Sequence, residues 1–491
     1  MMPHLPALQI VLPLLAAPVC VLLGHGRFAY GFTLVISWLA FAISVLLLNS
    51  VLEGGSISYQ LGGWAPPWGI ELRVDPVNAY VLMIVSAIGA MVMTYARPSV
   101  DREIRAEREY LYYTAHLLCL AGLLGVTITG DAFNIFVFFE ISSLASYILI
   151  SLGSNRRALV AAFNYLVFGT IGATFFLIGV GMLYQMTGTL NLADLAERVP
   201  PLTGNRTVQA GFIFMAIGLA LKAALFPLHA WLPNAYAYAP SVATAFLAAT
   251  ATKVAIYVLI RIYFTVFGAD FSFGVMSLGA LLQILAVAAM IVASLIAIFQ
   301  NDIKRMLAYS SVAQVGYILL GIGFATVTGL TGGLLHLFNH ALMKAALFMA
   351  LGCVFYRMGS VRLEAMAGIG SRMPWTTASF VAGGLSLIGV PMTVGFVSKW
   401  YLLLATVDSG SWWIVIFVLA SSLLAIIYIW RVVEVAYFSP SPEGAPKGEA
   451  PLTMLIPTWM LIVANVYFGI DTRVSVGVAT RAAEFLLGGG L

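Results

Sequence analysis

Apolar residues along the chain fall in long unbroken blocks, without the alternation of half-buried strands or the narrow stripe of a surface helix. Fourteen such blocks occur, at residues 5–24, 29–51, 74–96, 111–129, 132–152, 159–186, 209–236, 241–264, 274–299, 306–327, 329–357, 375–405, 412–438 and 452–470. Each approaches or exceeds the roughly 20 residues a helix needs to cross a bilayer. The pattern predicts an all-α polytopic membrane protein of about 14 transmembrane helices. Two blocks are interrupted. Pro227 and Pro233 fall in the seventh, and Gly389, Pro391 and Gly395 in the twelfth. Proline removes a backbone donor and frees carbonyls, which hydrocarbon does not tolerate unless protein or water satisfies them. Helices 7 and 12 are therefore expected to be broken and to line a cavity. Residues 54–73, with several glycines, Pro66 and Pro67 and a short alternating stretch, predict an exterior hairpin.

The blocks also repeat. Tyr147-Ile148-Leu149 in the fifth matches Tyr317-Ile318-Leu319 in the tenth, and Phe176, Tyr184 and Met186 in the sixth match Phe348, Tyr356 and Met358 in the eleventh at a constant offset. The broken seventh corresponds in order to the broken twelfth. Two five-helix units follow, at 111–264 and 274–438, flanked by three helices and the hairpin in 1–110 and by a last helix and tail in 439–491. An odd number of helices per unit forces the second to be inverted relative to the first, the arrangement with which many transporters build a site at the repeat interface.

Composition excludes a water-soluble chain: of 491 residues 61% are hydrophobic and 9% charged, and the mean hydropathy is +0.99. Of the 24 Lys and Arg, fourteen fall on one set of loops and helix ends, among them Arg97, Arg102, Arg105, Arg108, Arg156, Arg157, Lys304, Arg305, Arg357 and Arg362. Six, including Arg73, Arg206, Arg261 and Arg473, fall on the other side. The positive-inside rule then puts the fourteen inside and both termini outside the plasma membrane. This sorting accounts for most of the net charge of +4, so nucleic acid is not implied. Cys20, Cys119 and Cys353 are scattered among apolar blocks with no metal or disulfide spacing. The start, Met-Met-Pro-His-Leu-Pro, lacks the positive region of a cleaved signal. With no phosphate-binding glycine loop, cysteine ligand set or Ser/His/Asp arrangement, no cofactor, metal site or ATP use is expected.

The chemistry lies in charges that hydrocarbon should exclude. Lys222, Lys253, Lys344 and Lys399 all sit inside apolar blocks, and each is unfavourable at a helix centre by roughly 2.5–3.5 kcal/mol on insertion scales. Glu140 interrupts the fifth block between aromatics. A Glu140–Lys222 contact that forms and breaks would change the proton affinity of both groups. His336, His340 and Lys344 recur every four residues, which places them on one helical face where protons can be handed along. The same His-x3-His spacing suits a metal, and hydrogen-bonded structural histidines beside a snorkelling lysine fit it too. Lys399 follows the Gly-Pro-Gly interruption, as a half-helix site requires, although a lysine reaching for the interface would read alike. Glu434 reads as a surface residue, and His229 as either part of an inner entrance or a cap for free carbonyls.

In its Lys222-Ala-Ala-Leu-Phe-Pro-Leu-His-Ala-Trp-Leu-Pro segment, with Phe-Phe-Glu140, Ala-Thr-Lys253-Val-Ala-Ile-Tyr and Gly395-Phe-Val-Ser-Lys399, the sequence resembles the antiporter-like membrane subunits shared by complex I, membrane-bound hydrogenases and Mrp-type cation/proton antiporters. Within that family it is most similar to the D-subunit branch of Mrp antiporters. The resemblance implies a proton-translocation series of Glu140, Lys222, Lys253, His336, His340, Lys344 and Lys399. It also implies partner membrane subunits in a hetero-oligomer, with Na+, or Li+ or K+ in some members, exchanged for protons. Members with a glutamate in place of the twelfth-helix lysine depart from this chain at Lys399. The alternative it leaves open is a proton-pumping subunit of a redox-driven complex.

Overall fold

The computed structural model describes residues 4–488; residues 1–3, where the chain start was read for a signal, and 489–491, the end of the C-terminal tail, lie outside the described residues. Helices dominate. α1 (Leu5–Leu23) and α2 (Gly26–Gly54) are followed by the expected hairpin, β1 (Ile57–Gln60) paired antiparallel with β2 (Glu71–Val74) so that Ile57 faces Val74. Next come α3 (Pro76–Glu103), α4 (Glu109–Ile128), α5 (Ala132–Ser151), α6 (Arg156–Thr187), a short α7 (Leu192–Arg198), α8 (Arg206–Lys222), α9 (Leu232–Tyr238) and α10 (Ser241–Ile260). The second half holds α11 (Leu278–Ile298), α12 (Ile303–Gly323), α13 (Val327–Met358), α14 (Ile369–Arg372), α15 (Pro374–Ile388), α16 (Val394–Asp408), α17 (Trp413–Phe438), α18 (Leu452–Ile470) and α19 (Arg473–Leu487).

Twelve of the described helical segments are continuous, long and apolar enough to cross a membrane. The two blocks expected to be broken are the pairs α8/α9 and α15/α16, each split in mid-block. α8 stops at Lys222, and the chain then passes through Ala224 with φ 53°. α15 stops before Gly389, φ 93°, and Met392 follows with φ 70°. Side chains rarely adopt such backbone, which is why glycine stands at the second break.

Polar residues set the starts of the intact helices. Asp75 and Asn78 form a reciprocal capping box at α3 ahead of Pro76, Asp131 accepts from Asn134 N at α5 (2.7 Å), and Asp302 from Arg305 N at α12 (2.9 Å). Burial is uneven. The membrane-length window of α13 is wholly buried and those of α10 and α12 are 94% buried, whereas α17 buries only 33%. α13 is thus sheathed by α3, α10, α12, α15, α16, α18 and α19. A helix surrounded in this way can carry charge that a lipid-facing one cannot. The loops rich in arginine share one face of the bundle, where the segments 153–157, 299–305 and 359–362 surround a common cavity.

Candidate functional site: a buried polar series

The seven residues of the series lie in helices of the bundle, Lys222 and Lys399 at the two breaks, His336, His340 and Lys344 on the sheathed α13, Lys253 on the neighbouring α10 and Glu140 on α5. Lys222 ends α8. Its Nζ lies 3.2 Å from Glu140 Oε1 of α5 and donates to Ser143 Oγ at 2.8 Å, with the Phe139 ring centroid 5.2 Å away. Beneath it a cavity of about 20 Å3 is lined by Ser142, Ser143, Ser146, Tyr165, Lys222 and, from α10, Ala251 and Ala255. That is room for about one water molecule among hydroxyl groups. It extends the Lys222 site to the helix that bears Lys253.

Lys253 is fully buried on α10 and donates to the Ala248 carbonyl. It lies within electrostatic range of His336, His340 and Lys344 across the α10–α13 contact. On α13 the His336 and His340 rings stack nearly parallel, centroids 6.2 Å apart, as the i, i+4 spacing requires. His336 is held on both sides, Nδ1 2.9 Å from Ser398 Oγ of α16 and Nε2 2.9 Å from Gln314 Oε1 of α12. His340 has no partner on either nitrogen among the described residues, although it is fully buried. Lys344 donates to Ser310 Oγ and, at 2.8 Å, to the Leu307 carbonyl, both on α12. Lys399, on α16, reaches back across the break. Its Nζ donates to the carbonyls of Ile388 (2.7 Å) and Leu387 (3.2 Å), the end of α15, and to Ser422 Oγ of α17 (3.0 Å), over the face of Tyr317 at 4.9 Å.

The geometry therefore gathers the seven residues into two groups. Glu140 and Lys222 form an ion pair. Lys253, His336, His340 and Lys344 cluster where α10, α12 and α13 meet, and Ser398 ties His336 to the helix that carries Lys399. Hydroxyl groups and titratable side chains recur along the series, and both His340 nitrogens are buried without a partner among the described residues.

Residues 129–425, more than half of the chain, match the family described as NADH:quinone oxidoreductase/Mrp antiporter, transmembrane. The chain belongs to this family. It is 43% identical over 487 residues to an NADH-quinone oxidoreductase subunit N of Desulforudis audaxviator, covering 95% of this chain and 96% of that protein. It is 31% identical over 446 residues to the D-type subunit of a Na(+)/H(+) antiporter of Alkalihalophilus pseudofirmus, covering 91% and 89%. In structure it is similar to a chain of the Mrp complex from Dietzia sp. DQ12-45-1b, with a TM-score of 0.90 at 27% identity over 99% of this chain and 97% of that one. It is an antiporter-like membrane subunit of the kind found in Mrp and complex I assemblies, and a multi-pass membrane protein.

Arg261, sorted with the other outer-side residues, is 5% exposed in the π-helical turn after α10, ion-paired with Asp75 at the start of α3 and bonded through Nε to Tyr257 Oη at 3.1 Å. An intact pair at a helix start lets a guanidinium stay buried. His229 Nδ1 is buried without a partner among the described residues, and the freed Leu221 carbonyl accepts from Trp231 Nε1 at 3.0 Å. Glu434 is exposed, as expected, and the three cysteines are buried free thiols. Sequence reasoning passed over Ser143, Ser310, Gln314, Ser398 and Ser422. Their signal was a polar side chain in an otherwise apolar helix, clearest for Gln314.

Proposed function

We propose that this chain is the proton-translocating subunit of a multisubunit Na+/H+ antiporter in the plasma membrane, with protons as its own cargo. The observation that carries the reading is the Glu140–Lys222 pair, 3.2 Å apart within the bundle and continued by hydroxyl groups and a water-sized cavity towards Lys253. An ion pair that separates and re-forms changes the proton affinity of both partners, which is what a pumping element needs. Protons enter near Glu140 and Lys222, pass Lys253 and the His336, His340 and Lys344 stripe, and leave by Lys399. Buried carboxylates on this route are few, so Na+ crosses elsewhere in the assembly.

Two inverted five-helix units belong to the same proposal. Supporting it, α6 and α13 are each 32 residues long and each ends on a left-handed glycine, Gly188 and Gly359. Both also pack along the first half of a broken pair, α8 or α15.

A second reading has an observation of its own. The 43% relative is named a quinone oxidoreductase subunit, which favours a proton pump driven by electron transfer in partner subunits. One experiment separates the two. Everted vesicles bearing the assembled complex are given a respiratory pH gradient, and Na+ is then added. Collapse of the gradient by Na+, lost in Glu140→Ala and Lys399→Ala at equal assembly, supports exchange. Proton uptake that follows quinone reduction and ignores Na+ replaces it with the redox reading. Transport per assembled complex unchanged in both variants would make the buried charges structural and sink the proposal.

A further inference from the structure

A cavity of about 570 Å3 opens on the arginine-rich face between the α5–α6, α11–α12 and α13–α14 connections. Its size is that of a small-molecule site, typically about 300–1,000 Å3, and it takes no part in the buried series. Four basic side chains line it, Arg157, Lys304, Arg305 and Arg362, against two acidic ones, Glu103 and Asp302. Both acids are already committed. The Glu103 carboxylate accepts from Ser241 N at 3.1 and 3.0 Å and from Ser99 Oγ at 2.9 Å, and Asp302 caps α12 through Arg305 N.

The guanidinium groups have no anionic partner: Arg157, exposed, lies over the Tyr238 ring at 5.9 Å, Arg362 is exposed and Arg305 half-buried. Among the described residues, the side chains of Arg157, Arg305 and Arg362 make no hydrogen bond and no ion pair, and Arg305 Nε is buried without an acceptor. Lys304, 3% exposed, donates only to the Ala239 carbonyl. Three planar forks of N–H donors around one concavity, with Arg305 Nε buried, suit an anion with several acceptor oxygens. Arg157 also stands in the first turn of α6, whose next turns show Leu159, Val160 and Phe163 more than half exposed on the lipid-facing side. An anion in the cavity that carries acyl chains would find an apolar surface for them there.

We propose that this cavity binds the phosphate of an anionic phospholipid of the inner leaflet, with Arg157, Arg305 and Arg362 as donors and the chains lying along α6. Basic pockets between helices on the cytoplasmic side are suited to such headgroups. The inference is independent of how protons move and would stand if the transport reading fell.

The test is calorimetric titration of the full chain, purified in a neutral detergent, with dihexanoyl-phosphatidylglycerol, dihexanoyl-phosphatidylcholine and inorganic phosphate in turn. Saturable binding of the phosphatidylglycerol is expected. It should weaken at least tenfold in Arg157→Gln/Arg305→Gln/Arg362→Gln and stay unchanged in Arg27→Gln/Arg102→Gln/Lys447→Gln, which removes three exposed charges from the same face. Arg305→Lys keeps the charge but not the fork, and a severalfold loss there carries the test if the triple variant fails to fold. Phosphatidylcholine binding as tightly as phosphatidylglycerol, equal weakening in the control variant, or no saturation would overturn the site. Inorganic phosphate binding as tightly as the lipid would assign the cavity to the free anion instead.

Discussion

The Glu140–Lys222 pair can be tested by removing each partner and then both, with Glu140→Gln, Lys222→Met and the double variant. At 3.2 Å, the gross attraction is roughly 5 kcal/mol for an effective dielectric of about 20. Two features reduce what a measurement will show. The Glu140 side chain is 27% exposed, against 7% for Lys222, so the pair is not fully enclosed by the chain. Ser143 Oγ also remains at 2.8 Å to receive the ammonium when the carboxylate is gone. Between the ~0–1 kcal/mol of exposed pairs and the ~3–5 kcal/mol lost on breaking fully buried ones, a coupling of about 2 kcal/mol is expected. The cost is unequal. Glu140→Gln strands an ammonium enclosed by the chain, whereas Lys222→Met strands a carboxylate at a more open position, so the first should destabilise more. The double variant should regain stability relative to Glu140→Gln. Equilibrium unfolding in mixed micelles measures the cycle, and proton transport in proteoliposomes of the assembled complex is read beside it. All three variants should lose transport to the same floor, because removing either end already disables the pair. Additive stabilities, or a Glu140→Gln complex that transports at the full rate, would refute the reasoning.

Two further outcomes follow from the packing. A Cβ on Gly395 would fall 1.8 Å from the Ser386 carbonyl oxygen, so Gly395→Ala must push α16 away from α15; it is expected to lower Tm and transport together, while Ala substitution at the open Gly181 leaves both unchanged. Asp75→Asn removes the partner of the buried Arg261 and should cost about 3–5 kcal/mol in the same unfolding assay, whereas the Asp75→Asn/Arg261→Met double variant recovers much of that loss.

What the sequence revealed was whatever one segment states by itself. Proline and glycine announced both breaks, since their backbone chemistry is local. The His336, His340 and Lys344 stripe needed only helical spacing. Partners were harder. Gln314 and Ser398 hold His336 from 22 and 62 positions away, and Asp75 meets Arg261 across 186. No periodicity reports such distances, and a polar residue in an apolar block says only that some partner exists. Glu140 and Lys222 were matched correctly because few opposite charges share the membrane interior. α19 was missed for another reason. Its buried side is a stripe, Ser475, Val478, Ala479, Ala482, Ala483 and Leu486, too small and too diluted by polar residues to register as a spanning block. A search for helical periodicity would have found it.

Lys399 is also a fastener. A protonated lysine has three N–H donors, and three acceptors surround this one: the last two carbonyls of α15 and the Ser422 hydroxyl. The count matches only while the charge is present. A neutral amine has two, so every proton that departs leaves one acceptor at the break unserved, and the two halves of the broken helix lose a stitch. If protons use Lys399 as proposed, one that leaves would loosen the joint between α15 and α16, and the next to arrive would tie it again.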